Sequence, residues 1–226
     1  VIGGTGLDHL PDFRLAAVLT VTTPWGAPSS PITILEHPSP TTGHPIPIAF
    51  LARHGPHHEL NPTEVPSRAN IAALRHIGVR CIIAFSAAGS LAEEVKPRDF
   101  VVPDQAIDRT KGIRPHTFFE DGFVLHVPFA DPFDKKVGDV VRRCGHSLEG
   151  DGVRLHDTGC VIVMGAYSLI FFALPAQNSK RKVLIILSLR PCRRTTIQHA
   201  RRIQPVPQLG RHRYQYVDAA RGQTCR

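Results

Sequence analysis

Three observations predict an α/β fold for this chain. An apolar run at residues 46–51, a helical pattern at 67–77 and a second apolar run at 79–85 follow one another at the size of a strand–helix–strand crossover. Each apolar run stops in residues that suit an anion. The first ends in Ala52-Arg53-His54-Gly55 and the second in Ser86-Ala87-Ala88-Gly89-Ser90. A further stripe, Val137, Val140, Val141, Cys144 and Leu148, keeps helical spacing and supplies another helix. In open α/β sheets ligands sit beyond the carboxyl ends of strands, so Arg53, His54 and Ser86 are the first candidates for function.

Taken in order, Val1-Ile2-Gly3-Gly4-Thr5-Gly6-Leu7 reads as the end of a strand entering a glycine turn. Glycines let backbone approach an anion, and Thr5 adds a hydroxyl. A plain tight turn is the competing reading. The spacing G-x-G-x-x-G is absent, which argues against a dinucleotide site, and no G-x-x-x-x-G-K-[ST] marks a nucleotide-binding P-loop. Residues 17–22 and 31–36 are expected strands flanking Pro24-Trp25-Gly26-Ala27-Pro28, and 37–47 an intervening loop. Pro66-Ser67 and Gly78 bracket the helix at 67–77. Residues 99–107 read as a strand that Pro103 weakens, 108–122 as a polar loop with aromatics, and 157–164 as a strand. Asp131-Pro132 is expected to open the second helix.

Single residues in this pattern have plainer readings. Arg53 alone suits a surface ion pair, Ser86 a capping position, and His126, between Leu125 and Val127, a half-buried structural imidazole. Three anion-suited features at three strand ends form a stronger pattern: a planar guanidinium fork with hydroxyls and backbone N–H groups makes an oxyanion cradle. His57 and His58 lack the companion carboxylates of a metal site, so no metal is expected.

The composition is 42% hydrophobic and 20% charged, ordinary for a globular protein. The formal net charge of +8 looks like a nucleic-acid signal, but it is unevenly placed. Residues 1–162 hold 15 Lys+Arg against 18 Asp+Glu, whereas 163–226 hold 12 against the single acid Asp218. Any polyanion binding is therefore expected of the tail alone. Five widely spaced cysteines form no Cys-x-x-Cys pair and are expected to be reduced thiols of an intracellular protein; separately, the cytoplasm is the expected location, with the nucleus as a second. No signal-peptide pattern opens the chain, whose start without Met reads as trimmed or incomplete. The apolar run at 183–189 is too short to span a bilayer, so no membrane partner is expected.

A series of motifs then makes the chain recognisable. They are Ile2-Gly3-Gly4-Thr5-Gly6-Leu7, Thr23-Pro24-Trp25-Gly26-Ala27-Pro28-Ser29, Leu51-Ala52-Arg53-His54-Gly55, Asn61-Pro62, Arg68-Ala69-Asn70-Ile71, Ser86-Ala87-Ala88-Gly89-Ser90-Leu91, Asp104-Gln105-Ala106-Ile107-Asp108-Arg109-Thr110 and His126-Val127-Pro128-Phe129-Ala130-Asp131-Pro132-Phe133. In this order and spacing, over roughly residues 1–162, the chain resembles the methylthioadenosine phosphorylases of the purine nucleoside phosphorylase family. The resemblance implies a three-layer α/β/α fold with a central mixed sheet and a homotrimer with sites near subunit interfaces. It implies phosphate attack on C1′ of methylthioadenosine, releasing adenine and methylthioribose 1-phosphate, with phosphate as co-substrate and no metal or organic cofactor. Thr5, Arg53, His54, Ser86 and Ala87 match the family's phosphate-binding positions. His126 matches the histidine lining the 5′-alkylthio pocket across the interface.

The resemblance stops near residue 162. Relatives continue with Met-Glu-Gly-Pro, Ser/Thr-Arg-Ala-Glu, Asn-Met-Thr and Asp-Tyr-Asp segments that contact ribose, phosphate and purine. Here Met164 is followed by Gly165-Ala166-Tyr167-Ser168, and none of those motifs appears. The expected division is a partial phosphorylase domain at 1–164, its C-terminal part incomplete, and a basic tail at 165–226. A shifted frame or mis-splicing explains the tail, with a divergent domain as the alternative. The run at 183–189 suits one strand or helix turn; 190–226 shows little periodicity. Two other functions stay open: a phosphorylase for inosine, guanosine or methylthioinosine, and a non-catalytic protein that binds phosphate or, through its tail, polyanions.

Overall fold

The computed structural model describes residues 1–4, 12–39, 41–148 and 152–164, together with the backbone of 183–189. Alternation and apolar runs produce an N-terminal meander, β2 (Arg14–Leu19), β3 (Ile32–Pro38) and β4 (Pro45–Ala52), joined antiparallel. Before it lies β1 (Ile2–Gly3), which inserts parallel to β4 and to β5 (Ile82–Ala88). Between β4 and β5 runs α1 (Ser67–His76), the helix of the expected crossover. The remaining elements are β6 (Phe100–Val101), β7 (Gln105–Arg109), α2 (Lys135–Arg143) with a following 3₁₀ turn, β8 (Leu155–His156), β9 (Cys160–Met164) and β10 (Val183–Leu189).

Eight strands form one mixed sheet in the order β2-β3-β4-β1-β5-β10-β6-β8, and β7 pairs with β9 in a second. The α/β class and the mixed sheet therefore stand as expected. Val183–Leu189 takes the strand option, antiparallel to β5 and parallel to β6. Proline cannot donate to a ladder, and the expected strand at 99–107 accordingly breaks at Pro103. Its first part, β6, pairs with β8, and its second part, β7, pairs with β9.

The core lies between α1 and the meander. Ile32, Leu51, Ala73 and Leu74 are fully or almost fully buried, with Val21 beside them and Ile2, Ile34, Ile77 and Val79 packed around. At the C-terminus of α1, Gly78 adopts φ +90° and the Val79 N–H donates to the Leu74 carbonyl at 3.1 Å. The chain thus reverses through a left-handed glycine. Val79 is spent on this cap, and β5 starts three residues later than its apolar run suggests. The second helix also starts later than Asp131-Pro132: Asp134 caps it, its carboxylate accepting the Val137 N–H at 3.0 Å. Its apolar stripe is only part-covered, since Val140 and Cys144 are exposed. Among the described residues no helix is long and apolar enough to cross a membrane, and Cys81, Cys144 and Cys160 are free thiols.

Candidate functional site at the carboxyl edge

The parallel trio β4-β1-β5 aligns its carboxyl ends. Gly3 stands opposite Ala52 and Ile2 opposite Ala84, so Gly4, Arg53 and Ser86 stand at one level across the sheet, where β1 and β4 end and β5 runs on to Ala88. Arg53 ties the three strands together. Its N–H donates to the Gly3 carbonyl at 3.0 Å, and its Nη1 donates to the Phe85 carbonyl, across the end of β1. A Cβ built on Gly4 would stand 3.5 Å from the Arg53 Nη2, in ordinary contact, so Gly4 and the guanidinium are neighbours at this edge. Burial pulls the Arg53 pKa below its ordinary value, yet an arginine remains charged at neutral pH.

Residue 52, just before Arg53, is held by side chains that come from far along the chain. The Ser29 hydroxyl donates to the Ala52 carbonyl at 2.8 Å, and the Ala52 N–H donates to the Ser30 hydroxyl at 3.1 Å. Asn70 of α1, 3% exposed, accepts the Ser29 N–H at 2.7 Å. This clamp is a supporting part that the sequence reading did not assign. Its visible signal was a lone polar residue, Asn70, among Ala69, Ala73 and Leu74 on the buried face of a helix.

His54 is 9% exposed. Its Nδ1 lies 2.8 Å from the Leu60 carbonyl, its Nε2 accepts the Arg53 Nε–H at 3.1 Å, and its ring meets that of His58 with centroids 4.6 Å apart. The turn that follows depends on Gly55, at φ +83°. A Cβ there would fall 2.3–2.5 Å from the Glu59 carboxylate, which itself accepts the His57 N–H at 2.8 Å. Gly55→Ala is expected to destabilise the chain by about 1–2 kcal/mol through the left-handed backbone alone, with loss of the Glu59–His57 bond in addition. Thermal unfolding of Gly55→Ala and of Gly55→Ala/Glu59→Ala separates the two. Equal stability of Gly55→Ala and the parent would show that the turn does not need glycine.

Three sequence assignments change. Ser86 and Ala87 do not lie in a turn after the strand. They belong to β5, where β10 pairs with them at Ile185 and Leu184, because an adjacent backbone extends the ladder past the apolar run. Ser86 is half-buried and Ala87 exposed. His126 is exposed rather than half-buried, within an irregular segment whose Val124 and Val127 are 69% and 72% exposed. Thr5 lies outside the described residues. Among the described residues no three His, Cys, Asp or Glu side chains gather as a metal would require. A cavity of about 270 Å³ opens beside the edge, bordered by Gly3, Gly4, Ala52 and Gly55.

A sheet edge holding Gly4, a strand-bridging arginine and, at the same level, the serine of β5 is suited to bind a multiply charged oxyanion. Comparison with known proteins identifies the family. Residues 1–168 match the model of the phosphorylase superfamily. The S-methyl-5′-thioadenosine phosphorylase of Phaeosphaeria nodorum is 73% identical over 164 residues, 73% of this chain and 48% of that protein. That of Aspergillus fumigatus is 68% identical with the same coverages, 73% and 48%. Among solved structures, a methylthioadenosine phosphorylase from an Antarctic soil metagenomic library superposes with a TM-score of 0.65 at 37% identity, covering 74% of this chain and 56% of that one. Methylthioadenosine phosphorylase from Schistosoma mansoni in complex with adenine gives 0.62 at 30% identity, covering 74% and 61%. The chain spans about half the length of the curated relatives it matches. With three quarters of its residues under one family model, the chain belongs to the phosphorylase superfamily.

Proposed function

We propose that this chain serves the phosphorolysis of S-methyl-5′-thioadenosine to adenine and methylthioribose 1-phosphate, and that residues 1–164 carry its phosphate-binding part. The observation that carries the reading is Arg53, placed at the carboxyl edge and bonded across β1 to β5. The names of the relatives supply the substrate. In this reading Arg53, the hydroxyls of Thr5 and Ser86, and backbone at His54 and Ala87 hold inorganic phosphate. The dianion then sits close to C1′, where cleavage of the glycosidic bond develops positive charge. It stabilises that charge and is already aimed as the nucleophile. One phosphate oxygen forms the new bond to C1′, the base leaves with the old bonding pair, and no redox step is involved. Phosphate is the co-substrate and no further cofactor is called for. His126 would face the 5′-alkylthio group of a neighbouring subunit in a homotrimer, which its exposure on this chain supports. In this reading the basic segment from residue 165 is foreign to the family domain, the change of charge falling where the family match ends, although its 183–189 stretch pairs into the sheet as β10. The cytoplasm is the proposed location.

Arg53→Ala tests the reading. Losing a charged hydrogen-bond partner is expected to weaken inorganic phosphate by about 1.5–3 kcal/mol, roughly ten- to a hundredfold, while nucleoside affinity changes far less. Titration of the chain with phosphate, with and without nucleoside, reads both. An unchanged phosphate affinity would refute the assignment, and turnover preferring inosine to methylthioadenosine would refute the substrate.

A further inference from the structure

We propose that His54 is a positioning residue. Its ring, as a neutral acceptor, holds the Nε–H of Arg53 and so sets the plane of the guanidinium offered to the anion. The inference rests on the phosphate-site reading above and concerns how that site is kept in order. A carbonyl oxygen only accepts, so the contact of Nδ1 with Leu60 at 2.8 Å places the ring proton on Nδ1. The other nitrogen then carries the lone pair, and that lone pair receives Arg53 at 3.1 Å. The Leu60 N–H returns to the His54 carbonyl at 3.0 Å, which pins the ring's backbone as well. Both ring nitrogens are thus committed within the protein. The imidazole has no donor left for phosphate, and its effect on the anion passes through Arg53.

The arrangement has a failure mode. A protonated imidazole has two donors and no acceptor. Its Nε2–H would oppose the Arg53 Nε–H, donor against donor and cation against cation. Arg53 would keep only its Nη1 bond to Phe85 and lose its orientation. The groups facing His54 discourage this state. Burial lowers the imidazole pKa below its ordinary value. The Leu60 bond opposes that shift, while the positive charges of Arg53, His58 and Arg114 add to it. The nearby carboxylate, Glu59, is engaged with the His57 N–H. The ring is therefore neutral at neutral pH and gains a proton only in more acidic solution than an ordinary histidine.

The test uses sulfate, which keeps its double charge from about pH 5 to about pH 8, where an imidazole switches. Sulfate binding to the full chain is expected to fall roughly tenfold as His54 protonates. His54→Leu, which fills the space without an acceptor, should lose about tenfold at every pH and show no step. His54→Gln, whose amide oxygen can accept from Arg53, should recover most of the affinity, also without a step. On an Arg53→Ala background, changing His54 should have no further effect. Parent-like binding by His54→Leu, or a pH step that persists in His54→Gln, would overturn the inference. If Arg53→Ala itself binds as well as the parent, it is the phosphate reading that fails. The hydrogen bond can still be judged by nitrogen NMR of the unsubstituted chain. A proton on Nδ1 and a slowly exchanging Arg53 Nε–H support the inference, and a proton on Nε2 overturns it.

Discussion

Asp99→Ala is expected to lower stability by about 3 kcal/mol, because it empties a buried acceptor that three donors use. Asp99 is 2% exposed. One carboxylate oxygen accepts the Arg154 N–H at 3.1 Å, and the other accepts the Lys96 N–H at 2.9 Å and meets His156 Nε2 at 2.9 Å. These bonds fasten β6 to β8 just where the ladder between them is two residues long. Burial alone would raise the pKa of the carboxyl. The His156 bond and the two backbone donors outweigh it and hold the group below its ordinary value of 3.8. A depressed carboxyl pKa means that the unfolded chain binds the proton more readily. The stabilisation is full above the ordinary value and is lost as pH falls below it towards the folded value. The parent should therefore lose an increment of stability in that acidic window that Asp99→Ala lacks. Urea unfolding with an unchanged slope and a lower midpoint is the readout. Identical midpoints would remove Asp99 from any structural role.

Leu51→Ala should cost about 2–5 kcal/mol, the range for deleting a large buried aliphatic side chain. Leu51 is 0% exposed and packs with Ile32, Ala73 and Leu74, so the meander and α1 both lose contacts. It also stands opposite Ile2 in the β1–β4 register, two residues before Arg53. A cavity there loosens the strand end that presents the guanidinium, so sulfate affinity should fall along with the melting temperature. Leu51→Met, which nearly conserves volume, should cost under about 1.5 kcal/mol and leave the edge intact. A loss below 1 kcal/mol for the alanine variant would mean that its neighbours close the gap.

The central crossover was legible because its signals are local. Periodicity, Pro66-Ser67 and Gly78 defined α1 to within a residue, and the apolar run at 46–51 gave β4 almost whole. The Arg53 edge was legible for the same reason, since strand and anion-suited residues are contiguous in the chain. What escaped depends on distant partners. Ser29 and Ser30 bond Ala52 from 23 and 22 positions away, Asn70 holds Ser29 from 41, and nothing near them in sequence announces it. The extension of β5 through Ser86 requires β10, about a hundred residues later. The aromatics of the loop at 108–122 found a partner in Trp25, whose ring meets Phe118 edge-on at 4.6 Å. No periodicity encodes such a contact.

The position of β10 governs the order in which the molecule can be made. Among the described residues it is the last strand in sequence, yet it is third from one end of the eight-stranded sheet and links β6 and β8 to the other five strands. During vectorial synthesis β2, β3, β4, β1 and β5 can zip together early, since every pairing among them lies within the first 88 residues. The sheet then waits with the long side of β5 unpaired until residues 183–189 leave the ribosome. Through that interval β5 is an open template for any passing strand, and the late, long-range closure is slow for reasons of chain entropy. The nascent chain is therefore most prone to aggregate after its core has formed and before β10 arrives.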